Sequence, residues 1–91
     1  MLLFKHSLTC PISTAAFKQY QQFLQDRPDD DGAVYTLVEI QNARDVSNEI
    51  ASRTGVRHES PQALVLRDGK VTWHASHWSI QAGDLATAVD G

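Results

Sequence analysis

The stretch Phe4-Lys5-His6-Ser7-Leu8-Thr9-Cys10-Pro11-Ile12-Ser13 holds the only cysteine of the chain and marks a change of pattern. Leu2 to His6 reads as a short apolar strand. Pro11 then suits the first turn of a helix, where its missing N–H costs nothing. A thiol at such a junction faces unpaired first-turn N–H groups, here those of Ile12 and Ser13, and the positive end of the helix dipole. Both favour the thiolate, the form that attacks disulfides. Ser13 stands three residues on, where a dithiol motif would place its second cysteine. The segment is a C-x-x-C redox pattern reduced to C-x-x-S, which makes the chain a candidate one-thiol redox protein. Free cysteines are more often buried and inert, so the junction, not the thiol alone, carries this reading.

Outward from that junction, Ile12, Ala16, Tyr20, Phe23 and Leu24 recur at helical spacing and predict one apolar stripe, with Lys18, Gln21, Gln22 and Gln25 opposite. Arg27-Pro28-Asp29-Asp30-Asp31-Gly32 ends the helix with turn residues. Val34 to Ile40 is rich in β-branched and aromatic residues and nearly continuous in apolar character, the pattern of a strand buried on both faces. Asn42 is the expected cap of a second helix with Ala43, Val46, Ile50 and Ala51 inward, ending near Thr54-Gly55. Gln62–Arg67 and Lys70–Ala75 flank Asp68-Gly69, a strong hairpin signal. A last helix is predicted over Gln81–Val89, with Ile80, Leu85 and Val89 inward. The order β-α-β-α-β-β-α predicts an α/β fold, a central mixed four-stranded sheet flanked by helices. That is the thioredoxin/glutaredoxin order, and it also fits a generic α/β sandwich.

With 91 residues the chain is read as one domain, residues 1–91. Its net charge is −3, with the acidic excess concentrated in Asp26, Asp29, Asp30 and Asp31. No basic cluster supports nucleic-acid binding. Met1 to Lys5 is too short an apolar run for a signal peptide, and no segment approaches a membrane span. One cysteine excludes an internal disulfide framework, so the expected setting is a reducing cytoplasm.

Two further runs are candidates for chemistry. Ser60-Pro61 directly precedes the third strand. In a thioredoxin-like fold that position holds a cis-proline beside the redox turn, and the backbone of Ser60 would be free to pair with an extended substrate. Trp73-His74-Ala75-Ser76-His77-Trp78 is unusually aromatic and histidine-rich. Alternation puts Trp73, Ala75 and His77 on one strand face, and His77 and Trp78 fall where the strand leaves the sheet. A metal site from His58, His74, His77 and Cys10 is not expected, because His-x-x-His on a strand lacks the usual ligand spacing. A hydrolytic Cys–His pair lacks an evident orienting group.

The run Phe4 to Ser13 resembles the monothiol bacilliredoxins, the YtxJ-like thioredoxin-fold proteins of the bacillithiol system. So do Val46-Ser47-Asn48-Glu49-Ile50-Ala51, Val56-Arg57-His58-Glu59-Ser60-Pro61-Gln62 and Trp73 to Trp78. Four blocks in register across almost the whole chain carry the resemblance. It implies a cytoplasmic protein that removes bacillithiol from mixed disulfides on oxidised proteins, part of an oxidative-stress response. Carried over, Cys10 is the attacking thiol, with Thr9, Pro11, Ile12 and Ser13 forming its turn. The spacing itself puts the Ser13 hydroxyl within one helical turn of Cys10, able to hydrogen-bond the sulfur. Pro61 is the cis-proline; His77 and Trp78 match a family block, but the resemblance gives them no chemical role. From their place beside the turn, Ser60, Pro61, His77 and Trp78 are read as the candidate substrate groove. No bound cofactor is implied: bacillithiol is a co-substrate, and the partners are S-bacillithiolated client proteins.

Three other readings compete with this one. A monothiol redoxin serving another small thiol, such as glutathione or coenzyme A, has the same composition. A binding adaptor on a thioredoxin scaffold would use the groove near Pro61 and Trp78 without catalysis. An iron–sulfur carrier of the C-G-F-S glutaredoxin type is disfavoured by Pro11-Ile12 in place of Gly-Phe.

Overall fold

The structure, a computed structural model, describes residues 1–27 and 34–90. The expected acidic turn, Pro28 to Gly32, lies outside the described residues. Among the described residues three α-helices and four strands follow the expected order: β1 (Leu2–His6), α1 (Pro11–Gln25), β2 (Tyr35–Glu39), α2 (Arg44–Thr54), β3 (Gln62–Arg67), β4 (Lys70–Ser76) and α3 (Ala82–Asp90). A 3₁₀ turn, His77–Ser79, links β4 to α3.

The sheet runs β2-β1-β3-β4. β1 pairs parallel with β2 and antiparallel with β3, and β3 pairs antiparallel with β4. The parallel pair is joined through α1, as a crossover connection requires. The antiparallel pair turns at Asp68 (φ 53°) and Gly69 (φ 77°). Positive φ at both central residues is what the tight hairpin turn demands, and Asp-Gly supplies it at little steric cost.

Side chains alternate across β1 and divide the interior in two. Leu2 and Phe4 enter the larger cluster, with Ala16, Tyr20 and Phe23 of α1, Ala63 and Val65 of β3, and Ile80 and Leu85. Phe4 stacks on Tyr20 at 4.9 Å between ring centroids. Leu3 enters the smaller cluster with Val38 and Leu64, beneath Ala43 and Ile50. Two helices therefore cover one face of the sheet and α2 the other. Gln19 of α1 locks α3 to it by accepting the Ala82 N–H at 2.9 Å.

Three local expectations are corrected. The doubly covered strands are β1 and β3, whereas β2 lies at an edge with Leu37 44% exposed. Its unbroken apolar run packs only Tyr35 on one side and Val38 on the other. Along α1 the buried stripe is Ser13, Ala16, Tyr20 and Phe23. Leu24 falls about 100° past Phe23 and emerges, and Ile12 is half-buried. In α2 the N-cap is Ala43, without a side-chain cap bond, and Asn42 instead donates its N–H to Glu39 O at 3.0 Å. Val46 is 51% exposed, and Ser47 is the buried residue of that helix. Ser47 faces the buried Lys5, whose Nζ donates to the Ser47 carbonyl at 3.3 Å. Gly55 (φ 72°) closes α2 in the left-handed conformation, as expected.

Candidate active site

Cys10 is the N-cap residue of α1, extended at φ −101°, ψ 120°, and its carbonyl accepts the Thr14 N–H at 3.1 Å. Its side chain is half-buried and makes no capping hydrogen bond. Pro11 occupies the first turn, and the N–H groups of Ile12 and Ser13 belong to the set that an α-helix leaves without intrahelical acceptors. The uncommitted sulfur and these amides thus share one helix mouth. Thr9 and Pro11, the residues flanking Cys10, are exposed.

Ser13 does not serve the sulfur. It is 0% exposed, its Oγ accepts the Ser7 N–H at 2.8 Å, and it lies 2.8 Å from His6 Nδ1. Whether the Ser13 hydroxyl donates to His6 Nδ1 or accepts from it follows the tautomer of the ring. Burial holds the His6 pKa below its usual value, against the opposing pull of Glu39. The ring also stacks on Phe17 at 4.7 Å. Ser13 sits on the buried stripe of α1, so its hydroxyl turns towards β1 and braces the strand end that delivers Cys10.

Gln41, which the local pattern did not single out, braces the same segment from the other side. Its Oε1 accepts the Leu8 N–H at 3.0 Å, and its Nε2 donates to Ser7 Oγ at 2.8 Å and Thr9 Oγ1 at 3.3 Å. Nothing in the spacing of the β2–α2 loop points to it. Only the parallel pairing of β1 with β2 carries it there.

The Ser60–Pro61 peptide is cis. Pro61 precedes Gln62, which pairs with Lys5 on one side and Ser76 on the other. Its carbonyl accepts the His77 N–H at 3.1 Å. The Ser60 hydroxyl is buried without a partner among the described residues. His77 adopts φ 54°, and its Nε2 lies 3.8 Å from Glu59 Oε2. Trp78 is 65% exposed. His77 and Trp78 line a small hollow with Ala15, Ala16 and Gln19 of α1. Trp73 and Ala75 pack on the larger core, as alternation predicts, and His74 points outward. The structure thus brings together the ends of β1, β3 and β4 and the mouth of α1.

It separates other residues from that end. Lys5, on the α2 face, is 0% exposed, and its Nζ bonds Ser47 O at 3.3 Å and His58 Nδ1 at 3.2 Å. Ser47 Oγ also reaches His58 Nδ1 at 3.2 Å. Desolvation lowers the pKa of Lys5. That of His58 is lowered first by desolvation and then by Lys5 and Arg44, with Glu59 opposing. Among the described residues no three His, Cys, Asp or Glu side chains gather as a metal site, and no helix is long and apolar enough to cross a membrane.

A lone cysteine at a strand-to-helix turn, in a mixed sheet whose third strand opens on a cis-proline, defines a monothiol redox protein of the thioredoxin fold. The chain belongs to the monothiol bacilliredoxin BrxC family, whose model matches residues 1–85. A solved candidate oxidoreductase with a thioredoxin fold superposes with a TM-score of 0.82 at 42% identity, covering 96% of this chain and 74% of that one. A structure of a ferredoxin:thioredoxin reductase–thioredoxin f2 complex matches with a TM-score of 0.69 at 18% identity, over 98% of this chain and 73% of that one. The second likeness speaks for the fold alone.

Proposed function

We propose that the protein is a thiol–disulfide oxidoreductase that removes bacillithiol from mixed disulfides on client proteins, with Cys10 as nucleophile. The observation that carries this reading is the half-exposed, uncommitted Cys10 side chain at the mouth of α1. Membership of the bacilliredoxin family supports bacillithiol as the small thiol. The Cys10 thiolate attacks the bacillithiol sulfur of a protein–S–S–bacillithiol adduct. The S–S bond breaks, and its electron pair leaves on the client sulfur as a thiolate. Cys10 then carries bacillithiol as a new mixed disulfide.

Ser13 has no sulfur with which to resolve that adduct. A second bacillithiol, as thiolate, attacks the bound bacillithiol sulfur, forming bacillithiol disulfide and returning the Cys10 thiolate. Thr9, Pro11, Ile12 and Ser13 shape the turn. Ser60, Pro61, His77 and Trp78 form the groove that receives the client chain, and the exposed Trp78 ring offers it an apolar contact. The cycle needs a reducing compartment, since it ends by consuming a free thiol.

The test is mass spectrometry of Cys10 after mixing the reduced protein with a bacillithiolated client. The expected result is transfer of one bacillithiol to Cys10 with release of the client thiol. A clear preference for glutathione or coenzyme A adducts removes the bacillithiol assignment. Absence of exchange with every mixed disulfide leaves the adaptor reading in its place.

A further inference from the structure

We infer that Gln41 is a positioning residue for Cys10: its amide clamps the Ser7–Thr9 segment and so fixes where the thiol at the end of that segment points. The inference rests on Cys10 being the nucleophile, and it goes beyond the turn and groove residues to a side chain 31 positions away in the chain.

The clamp uses both ends of the amide. The carboxamide of Gln41 spends its oxygen on the Leu8 N–H, and its nitrogen donates to the hydroxyls of Ser7 and Thr9. The oxygen and nitrogen are distinguished by the partners, because a backbone N–H can only donate. The base of the clamp is equally fixed. Before Gln41, the Ile40 N–H bonds His6 O at 2.9 Å, extending the parallel pairing past the strand end. After it, the Asn42 N–H bonds Glu39 O at 3.0 Å and closes a turn. With the backbone held on both sides, only the side-chain rotamers of Gln41 are ordered when its amide binds.

What it holds is otherwise weakly tied. Leu8 and Thr9 are exposed, and the hydrogen bonds described for the Leu8 amide and the Thr9 hydroxyl both go to Gln41. Ser13 fixes the Ser7 N–H from the helix side. Between them the two residues grip consecutive positions leading to Cys10, one from the first turn of α1 and one from the β2–α2 loop. In-line attack on a disulfide requires the sulfur to approach along the S–S axis, and misplacement by about 1 Å costs up to 100-fold in rate. A loose Leu8–Thr9 segment would give the sulfur that freedom.

The test compares Gln41→Met, which keeps the shape and removes the hydrogen bonds, with Gln41→Glu, which keeps acceptors for the Leu8 N–H and for both hydroxyls. Exchange on a bacillithiolated client is expected to fall about 10-fold in kcat for Gln41→Met, with KM within twofold. Gln41→Glu is expected to recover to within about threefold of the parent. Hydrogen exchange should show the Leu8 amide losing protection in Gln41→Met alone, with melting temperatures of all three proteins close together. Parent-like kcat in Gln41→Met, or a Gln41→Glu as slow as Gln41→Met, overturns the inference. Should the parent protein exchange nothing, the functional reading fails. The clamp is then judged by Leu8 protection together with the rate of Cys10 alkylation by iodoacetamide: a change in both in Gln41→Met upholds it, and parent-like values overturn it.

Discussion

Lys5 Nζ lies 3.2 Å from His58 Nδ1, a contact between the central strand and the segment leading to Pro61 that spans 53 positions of sequence. Ser47 of α2 completes the cluster through its carbonyl and its hydroxyl. Lysine is rarely buried without a carboxylate, yet this ammonium is shielded from solvent and bonded to neutral acceptors. Three of the four sequence blocks that carry the resemblance to the bacilliredoxins, those holding Lys5, Ser47 and His58, therefore converge on one polar centre beneath α2.

Replacing Lys5 with methionine removes a buried charge and keeps the length of the stem. The His58 nitrogen retains the Ser47 hydroxyl as donor, and one cation that disfavours its protonation disappears. The His58 pKa should rise, as followed by NMR titration of its ring. Folding stability at neutral pH should change by less than about 1 kcal/mol, since exchanging a buried charge for an apolar side chain is often close to neutral. A loss above about 3 kcal/mol would show that the ammonium is a structural necessity.

Stability should fall on acidification. His6 and His58 both titrate below the usual 6.5 in the folded protein, mainly through desolvation. Between that value and the lowered ones the unfolded chain binds more protons than the folded one, so unfolding free energy rises with pH across the window. The contribution is complete above about 6.5 and is lost as pH drops towards the lowered values. Urea titrations at pH 7.5 and 5 test the sign, and equal midpoints would contradict it. Lys5, likewise lowered by burial, adds stability only as the pH climbs through its lowered value towards 10.5.

Ser13→Ala should destabilise the protein by about 1–3 kcal/mol, because it leaves the Ser7 N–H and His6 Nδ1 buried without a partner. Denaturant unfolding measures the loss. A change below about 0.5 kcal/mol would mean that water replaces the hydroxyl at no cost.

Cys10→Ser should abolish thiol exchange and leave the fold intact. Serine is a preferred N-cap, and the first-turn amides of α1 have no side-chain cap at present. The variant should thus melt slightly higher, by an amount on the order of 0.5–1 kcal/mol of stability. A lower melting temperature would indicate that the sulfur's packing outweighs the gained cap.

The positions of the elements were legible because each rests on chemistry within a few residues. Pro11 after Thr9-Cys10 starts a helix, Asp68-Gly69 supplies two positive φ angles, and Gly55 ends α2. Inward faces were read less well. Periodicity counts apolar residues, so it does not mark Ser13 and Ser47 as inward, and these serines are buried where they meet His6, Ser7, Lys5 and His58. The patterns place Leu37 and Val46 inward, yet among the described residues no neighbouring element covers them.

The chain on its own thus determined the order of strands and helices and the placing of its single thiol at a helix start, since capping, turn and φ preferences act locally. Tertiary structure alone decided that β2 lies at the edge and that Ser13 turns away from the sulfur. It also decided that Gln41 grips the segment before Cys10 and that Lys5 meets His58. Those outcomes depend on which strands pair and which buried polar groups must find donors or acceptors, and both are settled between residues far apart in sequence.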